Sequence, residues 1–159
     1  WVTAITVGIS LSHGALIRAQ PEGLQWVVLV CLVTFATDTA AFVIGNSIGR
    51  KKLAPTVSPN KTWEGAIAGL VAATIVMLVL RYAFDIMISV NLTILLGIII
   101  SVTGLLGDLL ESKLKRIANV KDSGNLIPGH GGILDRFDSL TFAAPITLIY
   151  CNYFIKVGQ

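Results

Sequence analysis

The sequence is poor in charge. Asp, Glu, Lys and Arg make up 13% of its 159 residues, while hydrophobic types make up 54%. An ordinary soluble domain carries about 25% charged residues. So much apolar surface must face lipid rather than water, which excludes an ordinary soluble domain.

Other classes of protein are excluded by what is scarce. The two cysteines, Cys31 and Cys151, lie in separate apolar stretches, which disfavours a disulfide framework or a CxxC metal site. Neither a Walker pattern nor GxGxxG is present, so no P-loop or dinucleotide fold is expected. The net charge of +3 comes from clustered residues, and we expect no nucleic-acid polymer as a partner. The chain starts at Trp1 without an initiator Met or a signal-peptide pattern, so we expect it to be part of a longer membrane protein.

Long uncharged runs dominate what is there. A membrane-spanning helix needs roughly 20 mainly apolar residues, and continuous runs favour helices over a barrel. We therefore predict an all-α, polytopic membrane bundle forming one domain over residues 1–159. Its five spans are predicted near 1–18, 24–48, 62–83, 91–112 and 138–157.

The basic residues indicate an orientation for this bundle. Lys and Arg gather in short cytoplasmic loops. The loops at about 49–61 and 113–137, with their flanks, hold nine of the twelve Lys and Arg residues. We therefore expect both loops, and the site they carry, to face the cytoplasm.

The densest polar segment runs from Gly107 to Asp138. On a helix, Asp108, Glu111, Ser112 and Lys115 would share one face. An acid within a membrane span is costly and by default indicates a site. The alternative is a structural salt bridge, for example from Asp108 to Lys115.

Asp135 and Asp138 lie three residues apart, where the last span begins. That spacing brings both carboxylates onto one helix face. Carboxylates suit Mg²⁺, which takes one or two of them together with water and substrate phosphates. The alternative is a pair of solvated acids.

The stretch PGHGG, residues 128–132, lies just before Asp135. Its backbone N–H groups could bind phosphate, although the glycines could equally serve a tight turn with His130 as its cap. Nearby cations favour a polyanionic substrate held with a metal. These cations are Lys115, Arg116, Lys121 and Arg136.

The second polar segment contains SPNKTWEG, residues 58–65. It predicts a helix start with Ser58 as N-cap and Pro59 at the first helical position. Lys61 and Glu64 could belong to a phosphate site or form an i, i+3 pair. Asp38, inside the second span, could be a ligand or a packing partner.

Together these motifs resemble a known family. The sequence SKLKR at 112–116, then Lys121-Asp122, then PGHGGILDRFD at 128–138 matches the signature of phosphatidate cytidylyltransferases at every fixed position. SPNKTWEG and DTAAFVIGNSIGR are also similar to segments of that family. The resemblance covers about Phe35 to Asp138 and suggests the C-terminal catalytic part of a longer enzyme.

The resemblance implies that CTP and phosphatidate react to give CDP-diacylglycerol and pyrophosphate. It implies an integral protein of the cytoplasmic membrane, if bacterial, that forms a homodimer and requires Mg²⁺, with a monovalent cation such as K⁺ as a possible second ion. Asp108, Asp135 and Asp138 would hold the metal, and Lys121 would join them as a catalytic residue. Substrate binding would fall to Lys115, Arg116, Arg136, His130, Gly131, Gly132, Ser58, Asn60, Lys61 and Glu64.

Two rival functions remain open from sequence. A CTP-dependent lipid kinase would share a charged cytoplasmic site but would transfer the γ-phosphoryl group to a lipid alcohol. An ion-coupled transporter would use Asp38 and Asp108 as coupling sites.

Overall fold

A computed structural model describes the backbone of residues 2–118, 120 and 134–155, and the side chains of most of these. Within those ranges the chain forms five α-helices, one short π-helix and one β-hairpin. The helices are α1 (Val2–Arg18), α2 (Gly23–Ile48), α3 (Trp63–Ala83), α4 (Val90–Ile117) and α5 (Leu134–Tyr150). The π-helix Cys151–Ile155 continues α5, and the hairpin consists of β1 (Lys52–Ala54) and β2 (Ser58–Thr62).

The predicted all-α class is confirmed, and the protein is an integral membrane protein. Helices α2, α3 and α4 are each long and apolar enough to cross a bilayer, and most of each apolar stretch is not buried within the chain. The five predicted spans correspond to the five helices, although α1 and α5 have only 17 residues each. Helix α4 is longer than predicted and takes in residues 113–117, which were expected to begin a loop.

Large side chains pack at the end of the bundle away from the hairpin. Trp26 and Leu29 of α2 and Met77 of α3 are fully buried there. The ring of Trp26 lies 5.9 Å from that of Tyr150, centroid to centroid. With no hydrophobic force between helices in lipid, such close packing holds the bundle together.

Helices α2 and α3 approach each other closely at the opposite end, because small residues face each other. A Cβ atom added to Gly65 would lie 2.6 Å from the carbonyl oxygen of Ala41, and one added to Gly69 would lie 3.0 Å from that of Thr37. Gly65 also contacts Gly45 of α2. Small residues let membrane helices bring their backbones together.

The hairpin corrects the prediction for residues 49–61. Ser58 was expected to cap a helix with Pro59 at its first position, but both residues lie in β2, which pairs antiparallel with β1. Helix α3 begins four residues later with Thr62 as its N-cap, and Thr62 Oγ1 accepts a hydrogen bond from the Gly65 backbone N–H at 3.2 Å. Thr62 is the better cap because its backbone is extended, as the last residue of a strand, and its hydroxyl reaches the third residue of the helix.

The hairpin and the end of α4 lie at the same end of the bundle. Arg116 Nε donates to the carbonyl oxygen of Val57 in the hairpin turn, at 3.4 Å. The described start of the first polar segment, at the end of α4, therefore lies next to the second polar segment. Helix α5 begins at Leu134, four residues before the predicted start, and so includes Asp135 and Asp138.

Candidate functional site

A cavity of about 580 Å³ lies where α2, α3, α4, α5 and the hairpin meet. Small residues on α2 and α3, including Gly45, Gly65 and Gly69, form part of its wall and leave room for it. The polar side chains that line it come from α2, α4, α5 and strand β2 of the hairpin, whereas α3 contributes only small apolar residues. The polar side chains are Thr37, Asp38, Asn46, Ser58, Asn60, Lys61, Thr62, Ser101, Asp108 and Ser139.

Lys61 and Asp108 form an ion pair inside this cavity. The Lys61 ammonium contacts Oδ2 of Asp108, and their side chains are 20% and 28% exposed. Ser112 Oγ donates to Oδ1 of the same carboxylate at 3.3 Å. Asp108 does form a salt bridge, as one of the predicted alternatives required, but the predicted partner Lys115 is wrong. The partner is Lys61, which the hairpin brings from a different part of the chain.

A second carboxylate enters the cavity from α2. Asp38 accepts a hydrogen bond from Ser139 Oγ, at 3.1 Å to Oδ2. Ser139 also packs against Gly104 of α4. Ser139 thus ties the start of α5 to both α2 and α4, and Asp38 has a packing partner, one of the two roles considered for it.

Glu64 has a structural contact. Its carboxylate accepts the backbone N–H of Lys51, at 3.2 Å to Oε1, and this contact ties the start of α3 to the start of the hairpin. The considered pair between Lys61 and Glu64 is not formed, because each residue has a different partner. Glu64 is also not among the residues that line the cavity.

Two of the predicted cations lie just beyond the cavity. Lys115 Nζ pairs with Glu111 Oε1 at 3.1 Å on α4, and Arg116 contacts the hairpin turn. The predicted shared face of α4 is confirmed, since Asp108 contacts Ser112 and Glu111 contacts Lys115.

Several predicted site residues fall outside what the structure describes. Lys121, His130, Gly131 and Gly132 lie outside the described residues altogether. Asp135, Arg136 and Asp138 belong to the first turns of α5, but their side chains are outside the described part. Their roles therefore stay predictions.

The cavity also contains residues that the sequence did not assign to the site. Asn46, Ser101 and Ser139 line it, but neutral polar residues in membrane helices also serve as hydrogen-bond partners between helices, so they give no signal alone. Asp38 did give one, since an acid within a span is costly. What the sequence could not supply was that Asp38 and Asp108, 70 positions apart, line one cavity.

The cavity offers hard oxygen atoms as ligands for a metal ion. Asp38 and Asp108 supply carboxylates, and Asn46 and Asn60 supply amide oxygens. In the described ranges, no group of three or more His, Cys, Asp or Glu side chains is arranged to hold a metal ion. Two carboxylates with vacant space beside them fit Mg²⁺ bound together with substrate phosphates better than an all-protein cage.

Comparison with known proteins gives consistent matches. A sequence model described as the cytidylyltransferase family matches residues 1–154. The phosphatidate cytidylyltransferase of Staphylococcus saprophyticus is 46% identical over 140 residues, which are 88% of this chain and 53% of that protein. That of Bacillus subtilis is 43% identical over 145 residues, 91% of this chain and 54% of that protein.

A third relative is covered to a similar extent. The phosphatidate cytidylyltransferase of Staphylococcus aureus is 50% identical over 131 residues, covering 81% of this chain and 50% of that protein. The chain thus spans about half the length of the curated relatives it matches.

Proposed function

Since this chain belongs to the cytidylyltransferase family, we propose that it carries the site at which CTP and phosphatidate react to form CDP-diacylglycerol. An oxygen of the lipid phosphate attacks the α-phosphorus of CTP. The bond between the α-phosphorus and the bridging oxygen to the β-phosphorus breaks, and pyrophosphate leaves. Phosphatidate is already ionised at neutral pH, so the reaction needs alignment and charge neutralisation rather than a covalent protein nucleophile.

The observation that carries this proposal is the polar cavity at one end of an otherwise apolar bundle. It combines two carboxylates with the ammonium of Lys61, groups suited to a metal and to phosphates. Phe42 lines the same cavity and is 70% exposed, as is expected for a wall that also borders lipid. A cavity with this pair of borders suits one substrate from water and one from the bilayer.

The proposal includes Mg²⁺, held by Asp108 together with Asp135 and Asp138. The hard oxygen donors of the cavity support it, and Asp135 and Asp138 begin the helix whose Ser139 contacts Asp38. The metal would neutralise charge on the triphosphate and so favour departure of pyrophosphate. A monovalent cation such as K⁺ is a proposed second ion, for which Asp38 is a candidate ligand.

The basic residues around the cavity are proposed to bind the substrate phosphates. Lys121 is proposed to do so as a catalytic residue. Lys61 is the one described cation that lines the cavity itself. Lys115, Arg116 and Arg136 form an outer group, and Ser58 and Asn60 are proposed to contact substrate from the hairpin. His130, Gly131 and Gly132 are proposed to donate hydrogen bonds to phosphate, while Glu64 orients the hairpin through Lys51.

We further propose that the cavity faces the cytoplasm, in the inner membrane if the source is bacterial, and that the protein works as a homodimer. The excess of Lys and Arg around the hairpin and the end of α4 supports this orientation. Impermeant reagents applied to sealed vesicles of known orientation would test it, and cross-linking in native membranes would test the dimer.

The test of function is product analysis with two labels. The complete membrane protein is incubated with phosphatidate, diacylglycerol as a lipid alcohol, Mg²⁺ and CTP labelled at either the α- or the γ-phosphate. We expect α-label to enter a lipid and γ-label to appear as pyrophosphate. Label entering the lipid from the γ-position would instead establish a lipid kinase, and ion flux without turnover of CTP would establish a transporter.

An Asp138→Asn variant serves as the negative control, and Asp85→Asn as the matched positive control. Asp85 is exposed in the connection between α3 and α4, at the opposite end of α3 from the cavity. Its φ of 51° is one that Asn adopts readily. We expect Asp138→Asn to abolish the labelled lipid and Asp85→Asn to leave it unchanged.

A further inference from the structure

Both oxygens of the Asp108 carboxylate are engaged within the cavity. Ser112 Oγ donates to Oδ1 at 3.3 Å, and the ammonium of Lys61 contacts Oδ2. Both charged side chains are largely shielded, at 20% and 28% exposed. A divalent cation that binds Asp108 must therefore displace the Lys61 ammonium or share the carboxylate with it.

Moving the Lys61 ammonium away from Asp108 is energetically unfavourable unless another anion binds in the cavity. Its Nζ is buried, and within the part of the chain that the structure describes Asp108 is the acceptor it contacts. A buried charge without a partner is strongly unfavourable. A free divalent cation at Asp108 would also repel the displaced ammonium across a short distance.

The phosphates of a nucleotide would remove this obstacle. They carry enough negative charge to bind the divalent cation and the ammonium together. Lys61 lines the same cavity as Asp108, and its flexible four-carbon stem can redirect the ammonium without moving the hairpin.

We infer that Lys61 is a placeholder cation, which neutralises Asp108 in the empty cavity and moves to the nucleotide phosphates when a metal–nucleotide complex arrives. The site then selects the metal–nucleotide complex over the free metal ion. Metal and nucleotide bind with positive coupling, and each strengthens binding of the other by the same factor. This inference rests on the proposed function, because it takes the nucleotide as the incoming anion.

The backbone around Lys61 supports a movement confined to its side chain. Lys61 lies in β2, next to the buried cap Thr62. The backbone N–H of Trp63 donates to the carbonyl oxygen of Lys51 at 3.0 Å, which closes the hairpin beside Lys61. The hairpin thus fixes the backbone of Lys61 beside the cavity, so that only its side chain has to move.

Binding of free Mn²⁺, measured by electron paramagnetic resonance without nucleotide, tests the inference. The complete protein in lipid nanodiscs is compared with Lys61→Met and Lys52→Met variants. Lys52 is an exposed residue of the same hairpin, so its substitution removes the same charge away from Asp108. We expect Lys61→Met to bind free Mn²⁺ at least ~10-fold more tightly, a difference of about 1.4 kcal/mol, and Lys52→Met to match the wild type.

Two further measurements make the test independent of how well that variant folds. Lys61→Arg retains the charge and is expected to bind free Mn²⁺ as weakly as the wild type. In the wild type itself, after subtraction of the Mn²⁺ that CTP holds in a protein-free control, CTP is expected to tighten binding of Mn²⁺ to the protein at least ~10-fold, the same 1.4 kcal/mol. Equal Mn²⁺ affinity with and without CTP, or unchanged or weaker affinity in a folded Lys61→Met variant, would overturn the inference.

These outcomes separate the inference from the proposed function. Tighter Mn²⁺ binding by Lys61→Met, with no labelled CDP-lipid from the wild type, would leave the placeholder lysine supported and the proposed reaction refuted. Labelled CDP-lipid from the wild type, with no effect of Lys61→Met on Mn²⁺, would refute the placeholder alone.

Discussion

The two ends of the α2–α3 pair are packed in opposite ways. Away from the hairpin, Trp26, Leu29 and Met77 fill the space between helices and are fully buried. Next to the hairpin, Gly45 and Gly65 bring the helices together with almost no side chain between them. Large residues hold one end of the bundle, whereas small residues at the other end leave space for a cavity and its polar groups.

This contrast assigns stability and function to different ends of the same helices. Substitutions at the tightly filled end should reduce stability without changing the chemistry of the folded protein. Substitutions of the polar groups at the other end should change the chemistry more than the stability. Small residues that border the cavity should affect both.

Among substitutions of side chains that the structure describes, Asp108→Asn is expected to have the largest effect on activity. Asn retains the shape of the side chain but loses the charge that binds both Lys61 and the proposed metal. Removing one preorganised electrostatic group from an active site costs about 100-fold or more in rate. Formation of labelled CDP-lipid measures this loss, with Asp85→Asn as the control for the same substitution elsewhere; equal activity of the two variants would contradict the site.

Leu29→Ala is expected to have the largest effect on stability. Leu29 is fully buried, and such truncations cost about 2–5 kcal/mol through lost packing and a residual cavity. Unfolding in mixed detergent micelles measures this cost. Activity per folded molecule should be unchanged, and a selective loss of activity would show that the two ends are not separable.

Gly65→Ala should reduce both stability and activity. Its new Cβ would lie 2.6 Å from the carbonyl oxygen of Ala41, so α3 must move away from α2 beside the cavity. Overpacking of this kind costs about 1–3 kcal/mol. The matched control is Gly14→Ala in α1, where no atom lies within 4 Å of the added Cβ and the helix should gain up to about 1 kcal/mol; the same loss in both variants would contradict this explanation.

The smallest effects should come from two helix caps at opposite ends. Thr62 caps α3 beside the cavity, and Ser89 caps α4 at the other end by accepting the Leu92 backbone N–H at 3.3 Å. Replacing either by Ala should cost about 1 kcal/mol of stability. Only Thr62→Ala should also weaken CTP binding, because Thr62 joins α3 to the strand that carries Lys61, and Thr62→Ser should restore it.

The sequence was sufficient to predict most of the helices and the polar face of α4. Apolar runs interrupted by charge predict membrane helices because the energetic cost of burying charge in lipid is large. Asp108, Glu111, Ser112 and Lys115 were assigned to one face from the helical period alone, and their contacts confirm it.

The sequence pattern predicted neither the hairpin nor the pairs of side chains that contact each other in the cavity. Ser58 and Pro59 form a standard signal for a helix start, but pairing of β2 with β1 takes precedence over it, and Thr62 becomes the cap. Pairings such as Lys61 with Asp108 and Ser139 with Asp38 join residues far apart in the chain. Such contacts depend on how the helices pack, which local periodicity does not determine.

Protection of an introduced cysteine tests most directly whether the cavity binds the nucleotide. In a background with Cys31 and Cys151 replaced by serine, Leu53→Cys introduces a thiol at the wall of the cavity, and Met87→Cys introduces one at an exposed position between α3 and α4. We predict that CTP with Mg²⁺ will slow modification by a water-soluble thiol reagent at position 53 and not at position 87. Equal rates at position 53 with and without saturating CTP and Mg²⁺ would contradict the cavity as the nucleotide site.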